Sequence, residues 1–108
     1  MSMTPSAVVK AVQSCGIECA HMCFPKNSAP ALPWAVYYID ETNGLCADNC
    51  TYDQVPTWIV ELYERSMDFE LESAVAQAIE SAFAPPVIEQ EWVEDEDCLM
   101  TTYTFREI

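Results

Sequence analysis

The alternation of apolar and polar positions divides this chain into short elements of two periods. Thr4-Pro5-Ser6 reads as an N-cap followed by a proline in the first turn, and Val8, Val12 and Cys15 then recur on one face until Gly16, which predicts a first helix. Ile17 to Phe24 alternates loosely and fits an extra strand, after which Pro25, Pro30 and Pro33 impose a loop. Trp34 to Asp40 predicts a strand with Trp34, Val36 and Tyr38 on one face and Ala35, Tyr37 and Ile39 on the other. Both faces are apolar, which suits a central strand or one whose second face meets a partner. After the Asn43-Gly44 turn, Ala47 to Tyr52 fits a short strand, and Thr57 to Tyr63 a longer one with Trp58, Val60 and Leu62 toward the core.

Ser66-Met67-Asp68 opens a second helix, with Asp68, Glu70 and Glu72 near its positive end, a placement the helix dipole favours by roughly 0.3 to 1 kcal/mol per charge. Leu71, Val75, Ile79 and Phe83 recur every fourth residue as a core-facing stripe, with Ala78 and Ala82 beside them, until Pro85-Pro86 ends the helix. Val87 to Trp92 and Leu99 to Phe105 read as two strands joined by Glu94-Asp95-Glu96-Asp97, with Ile88 and Trp92 on one side of the first and Leu99, Tyr103 and Phe105 on one side of the second. The order α-β-β-β-α-β-β over residues 1–108, with room for an extra strand at 17–24, predicts a single α+β domain. Its architecture is expected to be one antiparallel sheet carrying both helices on one face.

A chain of 108 residues buries roughly two thirds of its extended surface, enough for one core. Hydrophobic residues make up 51% of it, so it is not a disordered acidic tail. The net charge of −14 is uneven: residues 1–39 carry Lys10, Lys26 and Glu18, and the remainder carries seventeen acids against Arg65 and Arg106. Specific nucleic-acid binding is therefore not expected, because a phosphate track needs clustered Lys and Arg. The start Met-Ser-Met-Thr-Pro-Ser has no basic segment leading into an apolar stretch, and no later stretch has the length of a membrane span. A cytosolic origin without a membrane partner is expected, and with it free thiols at Cys15, Cys19, Cys23, Cys46, Cys50 and Cys98.

Catalytic motifs are missing. Gly16 and Gly44 are the only glycines and His21 the only histidine, so a phosphate-cradling loop, a dinucleotide fingerprint and a nucleophile elbow cannot be built. No enzymatic activity, catalytic residue or cofactor is expected. The sharpest metal alternative is zinc at Cys19, His21 and Cys23, which share one side if that segment is a strand, completed by Cys46 or Cys50. The four-residue cysteine spacings are loose for zinc, and packed thiols are the expected reading over zinc. Glu89 and Glu91 belong to one solvated strand face, and Glu94 to Asp97 lacks the glycine and register of a calcium loop. Three tryptophans and five tyrosines are many for so few strands. Tyr37, Tyr52 and Trp58, with Glu94, Asp95, Glu96 and Asp97, are accordingly the candidate interface residues.

Tyr37-Tyr38-Ile39-Asp40, Ala47-Asp48-Asn49 before Tyr52, Val60-Glu61-Leu62-Tyr63-Glu64, Leu71-Glu72-Ser73-Ala74-Val75 and Ile88-Glu89-Gln90-Glu91 together resemble the small tail-completion, tail terminator or head-tail joining proteins of long-tailed bacteriophages and prophages. The similarity covers most of residues 33–105 and rests on the order of elements and the Ala-Asp-Asn and Val-Glu-Leu-Tyr phrases. The resemblance implies a non-enzymatic virion component, of the kind often labelled minor capsid protein, that forms a ring, typically hexameric, between tail tube and neck. It implies as partners further copies of the chain, the tail-tube protein and the neck or connector proteins. The implied location is the virion, and the host cytoplasm during assembly. It supplies no catalytic residue, and the six cysteines depart from its pattern. A small zinc-binding regulatory module and an acidic DNA-mimic inhibitor are the alternatives; the latter needs carboxylates spaced along an extended face.

Overall fold

The computed structural model describes residues 5–21, 31–39 and 57–106. Along the chain these form α1 (Pro5–Gln13), β1 (Glu18–His21), β2 (Trp34–Ile39), β3 (Thr57–Glu64), α2 (Phe69–Ala82), β4 (Val87–Val93) and β5 (Cys98–Arg106). The fold is α+β, with one open five-stranded sheet in the order β1-β2-β3-β5-β4. The strand foreseen at 17–24 forms over residues 18–21, and the one foreseen at 47–52 lies outside the described residues.

The sheet is mixed rather than wholly antiparallel. β2 with β3, β3 with β5 and β5 with β4 pair antiparallel, whereas β1 runs parallel to β2, with Glu18 opposite Trp34 and His21 opposite Tyr37. The length of the connection permits this: residues 22–33 separate the two strands, about the dozen that a parallel crossover needs, whereas an antiparallel pair can be joined by a turn of as few as two residues. The β4–β5 hairpin shows that second case, closing over Glu94 to Asp97 with Asp97 in the left-handed region at φ 55°.

Register assigns the two sides of the sheet, because directly paired residues share a face. Ala35 and Tyr37 of β2, Trp58, Val60 and Leu62 of β3, and Tyr103 and Phe105 of β5 lie on one side and are buried. Val8 and Val12 of α1 and Val75 and Ile79 of α2 close that side into a single core. Both helices therefore pack on one face, as the periodicity predicts. Leu71 and Phe83 extend the stripe at the margin of the core, Phe83 stacking on Phe105 at 5.6 Å, while Ala82 lies exposed on the flank.

Helix ends follow local chemistry. Asp68 is the N-cap of α2: its Oδ1 accepts the Leu71 N–H at 3.1 Å, and Glu72 Oε2 accepts the Asp68 N–H at 3.2 Å, which satisfies donors that the first turn would otherwise leave open. The turn after α1 ends at Gly16 with φ +88°, a backbone conformation open to glycine at little steric cost. Among the described residues no helix is long and apolar enough to cross a membrane.

Truncation of Ile79 to alanine removes a fully buried side chain from the contact between α2 and the sheet. A loss of about 2 to 5 kcal/mol is expected. Glu80→Ala, one residue along on the exposed side, should stay within about 0.5 kcal/mol of the wild type. Urea denaturation followed by circular dichroism measures both.

Candidate interaction surface

The helix layer stops short of β4. Every residue of β4 except Val93 is exposed, including the apolar Val87, Ile88 and Trp92. Ile88 pairs with Tyr103 and Trp92 with Leu99, so both lie on the helix side of the sheet, where a covered strand would bury them. Each is 48% exposed, and Phe69 at the start of α2 is 74% exposed. Between α2 and β4 runs a groove of about 330 Å³ lined by Phe69, Glu72, Ala76, Ile88, Gln90 and Tyr103. Its floor is held by polar bonds: Gln90 Nε2 donates to Thr101 Oγ1 at 2.9 Å, and the Tyr103 hydroxyl donates to the Glu72 carbonyl at 2.9 Å. Among the described residues this apolar strip lies beside an unpaired strand edge, and the two features together are of the kind that another chain can cover.

The opposite side of the sheet carries a second cluster. Glu61 is gripped by two phenols, Tyr38 donating to Oε2 at 2.6 Å and Tyr63 to Oε1 at 2.8 Å. Tyr63 also packs on Trp34 with ring centroids 4.8 Å apart. Burial, then the bond to Glu61, push the Tyr63 hydroxyl well above the ordinary tyrosine range. Tyr63 holds its proton at neutral pH, and the Tyr38–Glu61 bond with the Trp34–Tyr63 ring contact braces β2 against β3.

Tyr37 and Trp58 were candidate interface residues and are corrected to core positions. Their side chains are buried beneath the helices, with ring centroids 6.3 Å apart. The cause is register: Tyr37 opposes Val60 and Trp58 opposes Phe105, all on the covered side. Tyr52 lies outside the described residues. Glu94, Asp95, Glu96 and Asp97 are all exposed at the hairpin turn, as expected.

Of the zinc candidates, Cys19 and His21 do share one side of β1, in register with Ala35 and Tyr37, and His21 packs against Tyr37 at 5.1 Å. Cys23, Cys46 and Cys50 lie outside the described residues, and among the described residues no group of three or more side chains could hold a metal. Cys19 packs against the core, and burial pushes its thiol up to about 11. Cys15 and Cys98 are raised for the same reason. Thiols held protonated at neutral pH are poor nucleophiles and poor ligands.

Two groups escaped the sequence reading. Phe69 falls outside the Leu71, Val75, Ile79, Phe83 stripe, and that offset was the available sign that it points elsewhere. Glu64 continues the alternation of Trp58, Val60 and Leu62, which aims it inward. It is 2% exposed, and neither carboxylate oxygen has a hydrogen-bond partner among the described residues. Burial first, then the neighbouring Glu72 and Asp68 carboxylates, push its carboxyl up to about 8. Compared with known proteins, the chain matches no family model and no curated protein.

Glu64 generates a pH prediction. Its folded pKa of about 8 lies above the ordinary 4.5, so between these values the folded state binds more protons than the unfolded state and stability falls as pH rises. Above about pH 8 that contribution is lost in full. Glu64→Gln should be more stable than the wild type above pH 8, with the difference closing toward pH 4.5. Parallel stability curves for the two proteins, from urea midpoints across that range, would exclude the effect.

Proposed function

We propose that this chain is a non-enzymatic assembly protein that forms a ring, as the tail terminator or head-tail joining component of a long-tailed bacteriophage or prophage. One observation carries the assembly part of the reading: among the described residues β4, seven residues long, is bare at its outer edge and on its helix side, where Ile88 and Trp92 are exposed beside Phe69. Such an edge has unpaired backbone groups and an apolar strip together, which another subunit can satisfy at once. The raised thiols and phenols support the non-enzymatic part, since they leave no activated nucleophile at neutral pH among the described residues. The phage context comes from the sequence resemblance. In that setting the acidic hairpin turns of neighbouring subunits form a ring of like charge, compatible with passing DNA that must not stick.

Light scattering on the purified protein across a concentration series tests this, with zinc assayed in the same fractions. The expected result is a closed oligomer, or a monomer that assembles when tail-tube protein is added. Ile88→Lys combined with Trp92→Ser changes only exposed side chains and should shift the assembly to monomer, while costing about 0.5 kcal/mol or less of fold stability per site. A monomer at every concentration that ignores tube protein and carries one zinc would replace the proposal with the zinc-module reading.

A further inference from the structure

The sheet has two free edges among the described residues, β1 and β4, and they are unlike in length, charge and cover. We infer that they pair with each other between copies, β4 of one subunit adding to β1 of the next, so that the sheet runs on from subunit to subunit. This contact rests on the ring reading above and names its interface.

Strand direction permits it. β1 and β2 run one way, β3 the other, β5 back again and β4 opposite to β5. A second copy in the same orientation therefore brings its β1 antiparallel to β4, with the helix sides of both sheets continuous. Antiparallel ladders are the more stable kind, and a head-to-tail contact of unlike surfaces is the kind that closes into a ring.

Charge selects this pairing over the symmetric one. The β4–β5 hairpin carries Glu89, Glu91, Glu94, Asp95, Glu96 and Asp97 against Arg106, six negative to one positive. In a symmetric antiparallel pairing of two β4 strands centred on Gln90, Glu89 of one copy opposes Glu91 of the other, and directly opposed like charges destabilise a ladder. The α1–β1 side carries Lys10 and Glu18 and is neutral. Joining β4 to β1 removes that like-charge contact and sets the acidic hairpin beside an edge of no net charge.

Cover completes the fit. In each subunit α1 packs over β1 and β2, and α2 sits over the middle of the sheet, so the strip at Ile88 and Trp92 is the one left open. A neighbour docked by its β1 edge brings its own α1 alongside that strip. The apolar area bare in the monomer is then flanked by a helix on each side, as the interior strands already are.

Edge-blocking prolines test the pairing. Successive residues of an edge strand point their N–H groups alternately toward the partner and toward solvent, so of Glu89→Pro and Gln90→Pro one spares the β5 ladder and blocks the outer edge. Cys19→Pro and Ala20→Pro do the same for β1. In each pair, the variant that keeps the wild-type circular dichroism melt is used, and mass is read by light scattering. The expected result is that each blocked variant alone is a monomer, while an equimolar mixture forms a one-to-one heterodimer through the two unblocked edges. A β1-blocked variant that persists as a homodimer would mean β4 pairs with itself and would overturn the inference. Rings that survive both blocks would overturn it too, while leaving the ring reading intact; a wild type that never assembles would instead remove that reading. The mixture also serves as the folding control, because heterodimer formation requires both variants to be folded.

Discussion

In this domain the two helices are placed toward one end of the five-stranded sheet. Val8 and Val12 of α1 and Val75 and Ile79 of α2 pack in one core with Ala35 and Tyr37 of β2, Trp58, Val60 and Leu62 of β3 and Tyr103 and Phe105 of β5, and no residue of β4 belongs to that core. Everything notable about this domain follows from where their cover ends. α1 takes the β1–β2 side, α2 takes β3 and β5, and among the described residues β4 is left without a roof. The residues that α2 would cover if it lay one strand further out are Ile88, Gln90 and Trp92. Their exposure is thus a property of the architecture as a whole rather than of any one unfavourable substitution.

Much of this was legible in the chain. The four-residue recurrence of Leu71, Val75 and Ile79 specified the buried side of α2, and Asp68 specified where it begins. Alternation in Trp58, Val60 and Leu62 specified the inner side of β3, and by continuation the inward direction of Glu64. Strand order was not legible. Val87 to Val93 reads the same whether it is the edge or the middle of a sheet, since period two reports which side chains share a face and says nothing of what lies over that face. For the same reason Tyr37 and Trp58 could be assigned to a strand but not to an interface or a core. Their burial depends on pairing with Val60 and Phe105, residues 23 and 47 positions away.

The two sides of the sheet divide the labour of the aromatic residues. On the covered side Tyr37, Trp58 and Phe105 fill volume, and Tyr103 both fills volume and reaches the Glu72 carbonyl. On the other side Tyr38 and Tyr63 spend their hydroxyls on Glu61, so that a carboxylate and two phenols tie neighbouring strands together through charge-assisted bonds. The surplus of rings that suggests an interface in the sequence is largely absorbed by these two structural roles, and what remains available on the β4 side is Phe69 and Trp92.

The ladder pattern also sets how the domain opens. β3 is hydrogen-bonded on both sides and roofed by helices, so its amides exchange with solvent only when the whole core comes apart. Among the described residues β4 is held by β5 alone, and it can peel away without disturbing Val75 or Ile79. Protection against hydrogen exchange therefore declines from the centre of the sheet outward, and the strand that opens at least cost is the one presenting Ile88 and Trp92.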